Sequence, residues 1–153
     1  MPPQPVQPPL KPPIERIESG GELLAIIVRG DFTAEGISFF TSPELPGQLA
    51  FMHHPAGKLI SPHIHNPIPR EVLYTPEVLF LRRGRLRTDF YDQERTYLFS
   101  RVLEAGDIIL LLKGGHGFEA LEEIEMFEAK QGPYAGDHDK TRFAGIDPGD
   151  AKE

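Results

Sequence analysis

From Gly36 onward, short apolar runs alternate with proline- and glycine-rich turns, and that rhythm leaves few folds open to this chain. The runs are Ile37–Thr41, Gln48–His53, Leu59–His65, Val78–Leu81, Leu86–Tyr91, Tyr97–Leu103, Asp107–Leu112, His116–Leu121 and Ile124–Gln131. Turns fall at Ser42–Gly47, Pro55–Gly57, Arg83–Gly84, Glu104–Gly106 and Lys113–Gly115. Strand-length runs at this spacing predict an all-β sandwich or barrel. A further apolar run, Leu23–Val28, precedes them and ends at Arg29-Gly30-Asp31, which reads as a turn rather than an adhesion motif. No segment keeps a 3.6-residue apolar period over three turns, and Asp137–Phe143 is expected to form a short helix.

The chain has 153 residues, enough for one domain with a full core. Seven prolines crowd residues 1–13, which should be extended and polyproline-like, as a free tail or as an arm lying on a partner subunit. Ordered structure is expected over residues 14–143, with 144–153 as a C-terminal tail. The net charge is −7 and there is no Lys/Arg run, which argues against nucleic acid as a partner. No apolar stretch is long enough to cross a membrane, and the N-terminus lacks the pattern of a secretory signal. There are no cysteines, so disulfides, thiolate nucleophiles and Cys-held metals are excluded. A cytoplasmic location is the expectation.

His63 and His65 carry the first chemical signal. On a strand, residues i and i+2 point to the same face, about 7 Å apart along the backbone, and two imidazoles so placed can converge on one ion. Alone the pair is weak, since six histidines produce His-x-His by chance. Glu77, heading Glu-Val-Leu-Phe-Leu-Arg-Arg-Gly84, and His116, behind Lys-Gly-Gly, each begin a strand beside a glycine turn. Neutral imidazoles and a carboxylate suit Fe, Mn, Ni, Co or Zn rather than Ca or Cu(I). Three histidines and one glutamate around a divalent ion leave a charge of about +1. The bland alternatives are histidines that cap polar positions and bind nothing, or an ion with a structural role only.

Here the sequence resembles the cupin superfamily. Gly57, five residues, His63, Ile64 and His65 match the first half of its first motif, and Glu77, six residues and Gly84 match the second half. Gly106 and His116 match positions of its second motif. The resemblance covers residues 48–131. It implies a double-stranded β-helix, or jelly-roll, barrel, a divalent transition metal on His63, His65, Glu77 and His116, and a homodimer. Two departures stand out. Eleven residues separate His65 from Glu77 where the family has three or four, and Glu71 in that insertion is a rival ligand. Glu77 is favoured because it alone continues as Glu-x6-Gly. The second motif also lacks its proline and ends in Ala120 where asparagine is common.

Strand alternation in such a barrel points Leu79, Leu81, Phe118 and Ala120 inward beside the ion, giving an apolar wall with few polar groups. Val78 and Phe80 then point outward and suggest a partner face. Glu128 and Lys130 share a face; inward, they are acid–base candidates with Tyr134, and outward they are a surface pair. Arg70 and Tyr74 in the insertion are candidates for gripping an anionic substrate, or are loop residues. His53 and His54 read as strand-end residues. The ending Glu128-Ala-Lys-Gln-Gly-Pro-Tyr134, with Gly-Gly-His-Gly-Phe-Glu119 before it, looks like that of bacterial cupins sometimes linked to surface-polysaccharide biosynthesis. The expected function is metal-dependent binding of a small oxygen-rich molecule: a carboxylate, keto acid or sugar derivative. As an enzyme it would be an isomerase, epimerase, lyase or dioxygenase. The alternatives are a binding or sensor module and an accessory protein.

Overall fold

A computed structural model describes residues 11–153. Of the proline-rich segment expected at 1–13, all but Lys11-Pro12-Pro13 lies outside the described residues. The strands are β1 (Ile14–Ser19), β2 (Glu22–Val28), β3 (Gly36–Phe39), β4 (Ala50–His53), β5 (Glu77–Arg83), β6 (Arg85–Tyr91), β7 (Tyr97–Glu104), β8 (Ile108–Leu111), β9 (Gly115–Ala120) and β10 (Glu125–Lys130). The fold is all-β, and the pairings among the described strands are antiparallel.

One sheet has the order β1-β2-β8-β5-β10 and a second has β7-β6-β9, while β3 and β4 form a separate hairpin. The two larger sheets pack face to face. Ala25, Ile27, Leu79, Leu81, Ile109 and Leu111 of the first meet Leu86, Phe90 and Leu103 of the second in one core. The other face of the first sheet is also covered: Ile26, Val28, Leu110 and Leu112 lie under Phe32, Phe40, Leu45 and Leu49. Burial on both faces explains why β2 and β8 are unbroken apolar runs rather than alternating ones. The sheets do not close into a barrel, because β1 and β10 of the first and β7 and β9 of the second each keep one unpaired edge.

Buried polar groups tie the turns down. Arg29 is buried and donates to Asp107 at 2.8 Å, so Arg29-Gly30-Asp31 is a turn whose arginine serves the core. Asp107 also accepts from the Gly30 and Glu104 amides, both at 2.9 Å. The C-terminal residues are bound to the second sheet: Ser100 N donates to Lys152 O at 2.7 Å, and Lys152 N donates to the Tyr97 hydroxyl at 2.7 Å.

Three expectations need correction. Leu59–His65 is not a strand; residues 54–76 have no regular structure and are mostly exposed. Pro62 interrupts the run, removing a backbone donor at its centre. The helix expected at Asp137–Phe143 is a single 3-10 turn, Gly136–Asp139. Val78 does not face a partner, because it packs against the second core under Leu45 and Leu49; Phe80 stacks on Phe127 at 6.4 Å. Strand β1 was not expected, since a bulge after Ile17 breaks its alternation. The Gly20-Gly21 pair behind it, with φ of 59° and 79°, is a hairpin signal that marks it.

Candidate functional site

The site lies between the start of β5 and the start of β9. Glu77 opens β5 directly after the buried Pro76, opposite Leu111 on β8 and Lys130 on β10. It therefore shares the inner face with Leu79 and Leu81, as their alternation requires. His116 sits opposite Phe90 of β6 and shares its inward face. Two glycines set the approach to it. Gly114 has φ 74°, where a Cβ would stand 2.5 Å from the Tyr91 carbonyl oxygen. A Cβ on Gly115 would stand 2.7 Å from the Phe143 ring. That explains Lys-Gly-Gly-His: the first glycine makes the turn, and the second makes room for an aromatic ring returning from the C-terminal segment.

His116 Nε2 stands 3.3 Å from Glu77 Oε2. The imidazole beside it holds the Glu77 carboxyl below its ordinary range, against the opposing effect of burial; Lys130 and Lys140 add to the lowering. Two donors bound to one ion by bonds of about 2.1 Å, at tetrahedral or octahedral angles, lie about 3.0–3.4 Å apart. The pair is thus spaced either as an ion-paired acid and base or as two ligands of one metal. It opens on a cleft of about 770 Å³ whose walls include Tyr74, Tyr91, Lys113 and Phe143. Tyr91 and Phe143 meet edge to face at 5.1 Å. Lys113 reaches over the Tyr74 ring at 5.3 Å and pairs with Glu22 at 3.1 Å.

The other sequence-derived candidates fall into three places. His63 and His65 are together, with ring centroids 5.3 Å apart, but on the exposed segment 54–76. His63 Nδ1 lies 3.1 Å from Ser61 O. No group of three or more potential metal-binding side chains is assembled among the described residues. The four expected ligands are split into two pairs, Glu77 with His116 and His63 with His65, and the rival Glu71 is exposed. Glu128 and Lys130 pair at 3.2 Å, and the carboxylate raises the Lys130 ammonium pKa. Opposite Leu79 and Glu77 in the β10–β5 register, they share the inner face with Glu77, on the open side of the sandwich. Tyr134 is exposed at 83% and does not line the cleft. Tyr74 lines it, whereas the Arg70 guanidinium turns to Ile68 O at 3.4 Å. His53 is a strand-end residue beside Glu35, at 3.3 Å.

The sequence reading missed Tyr91, Phe143, His138 and the Thr75–Asp139 hydrogen bond of 2.6 Å across the cleft. The double glycine before His116 signals a close packing partner without naming it. Phe143, His138 and Asp139 arrive from far along the chain and carry no local pattern. No protein-family model, curated protein or solved structure matches this chain.

Proposed function

We propose that this protein is a metal-dependent cupin that binds a small oxygen-rich molecule in the cleft at Glu77 and His116. The observation that carries the reading is the 3.3 Å contact between these two side chains, on the inner faces of opposed sheets, at the mouth of a cleft of small-molecule size. His63, His65, Glu77 and His116 would hold a divalent ion such as Fe, Mn, Ni, Co or Zn, which supplies Lewis-acid polarisation of a ligand oxygen. The residues present fit such an ion in part: two donors are at ligand spacing and two stand apart on residues 54–76.

Support for a jelly roll comes from the topology. The chain crosses between the two sheets at β5→β6, β7→β8, β8→β9 and β9→β10, as two interleaved Greek keys require. Among the unpaired edges of the two sheets are those of β9 and β10. Leu59, Ile60 and Ile64 leave apolar surface in water at 89%, 64% and 87% exposure. Pairing residues 59–65 with the free edge of β9 would cover that surface and bring the two histidine-bearing segments together. Metal binding drives such ordering, because the ligand bonds stabilise the closed form alone.

The chain's own residues suggest acid–base work on the bound molecule. His116 holds the Glu77 carboxyl below its ordinary range, and Lys130, paired with Glu128, lies opposite it on β10. Isomerase, epimerase or lyase chemistry uses such groups, whereas oxygenase chemistry would need substrate-dependent O₂ uptake. A binding module without turnover, or an accessory role in polysaccharide biosynthesis, uses the same cleft. Hydrogen–deuterium exchange of the full chain with and without Mn²⁺ or Zn²⁺ tests the reading. The amides of residues 59–65 should gain protection when metal is added. Unchanged exchange there, with either metal, would count against closure.

A further inference from the structure

A second cluster of charges stands in the same cleft, outside the four expected ligands. Arg95, Lys140 and Arg142 all line it, and among the described residues none stands within 4.0 Å of a carboxylate, though Lys140 is near enough to Glu77 to act on its charge. The carboxylates lining the cleft are already engaged. Glu77 is against His116, Asp92 accepts from the Thr96 amide at 2.8 Å, and Asp139 accepts from the Thr75 hydroxyl at 2.6 Å. Lys113 is taken by Glu22. These three cations thus stand without an ion pair while the carboxylates of the cleft are turned to other donors, in a chain of net charge −7.

Arg95 is also held in place. It is the non-glycine residue with positive φ among those described, at 70°. Arginine populates that region rarely, so the turn must impose it. It does so through Asp92, whose carbonyl accepts from Arg95 N at 3.2 Å and whose amide donates to Thr96 O at 3.0 Å. From that turn the exposed side chain reaches over the Phe143 ring, 5.8 Å from its centroid. An arginine resting on an aromatic ring loses less freedom on meeting an oxyanion than a free one does.

We infer that Arg95, Lys140 and Arg142 form an anion subsite, so that the molecule taken by this cleft is an organic acid whose carboxylate or phosphate is bound there. Its remaining oxygens would face Glu77 and His116. The inference rests on the reading of this cleft as the ligand site, but not on a metal being held in it. A neutral sugar would leave the three cations unmatched.

Isothermal titration of the full chain with inorganic phosphate, succinate and glucose tests it, and separates the two headgroups. At least one anion should bind the wild type, and glucose should not. Arg95→Gln/Arg142→Gln should weaken that binding at least about tenfold, while Arg85→Gln, a cation outside the cleft, should leave it unchanged. Lys140→Gln/Arg142→Gln, both exposed, gives the same readout if the first variant folds poorly. Absence of anion binding by the wild type, or equal binding in the cleft variants, would overturn the subsite. His116→Ala, with metal content and phosphate or succinate affinity measured together, separates the two readings. Anion binding kept while metal is lost supports the subsite as independent. Metal loading that works without any anion binding removes the subsite alone.

Discussion

Two regions of this molecule are determined to very different degrees. The strands β2, β8 and β5 are paired on both edges, and β2, β8 and the first half of β5 are covered on both faces. At the β9 and β10 margin each strand is paired on one edge only, and Phe118, Met126 and Phe127 remain 39–59% exposed. The contrast shows where stability and chemistry reside. The spine carries the folding energy, and the half-open margin carries the cleft, because only an incompletely satisfied surface can take a ligand.

The contrast can be broken most forcefully at Asp107. Asp107→Ala would take from the buried Arg29 guanidinium its 2.8 Å carboxylate, leaving only Glu15 at 3.6 Å, and would free two backbone donors. The loss should be about 3–5 kcal/mol by urea unfolding; a loss below about 1 kcal/mol would mean the turn is not held as described. Ile109→Ala, at a fully buried site, should cost about 2–5 kcal/mol. Ile64→Ala, at 87% exposure, should cost under about 0.5 kcal/mol in metal-free protein. A comparable loss at both positions would erase the distinction between the spine and the exposed segment 54–76 expected to close on the margin, and a loss at Ile64 that appears only with metal would sharpen it.

The smallest effect is electrostatic and crosses the margin. Arg82 donates to Glu125 at 2.7 Å between β5 and β10, and that hydrogen bond lowers the Glu125 pKa. A lowered folded-state pKa contributes stability that is present above the ordinary glutamate range and lost as pH falls through the folded value. The difference in urea midpoint between wild type and Arg82→Gln should therefore be small at pH 7 and vanish as acid protonates Glu125. A difference that grows on acidification would contradict the pairing.

How much of this was legible in the sequence follows the same division. Strands β2 and β5 to β10 could be read to within a residue or two, because each is an apolar run between turn residues whose burial is settled locally. Glu77 and His116 were legible as candidates through the glycines beside them. The strand at Leu59–His65 was not, because apolar content and β-branching there compete with Pro62 and no neighbouring strand decides the matter. The cleft wall was the least legible part. Phe143 reaches Gly115 across a long stretch of chain, and Arg95 owes its position to a turn rather than to a motif.

The account stands or falls on whether the two separated pairs serve one ion. Elemental analysis of metal-loaded, desalted full-chain protein asks this directly, comparing wild type with His63→Ala/His65→Ala and with Glu77→Gln. The account predicts about one equivalent of a divalent transition metal in the wild type and a loss of most of it in both variants. Equal metal content in all three proteins, or a metal-free wild type after loading, would contradict it.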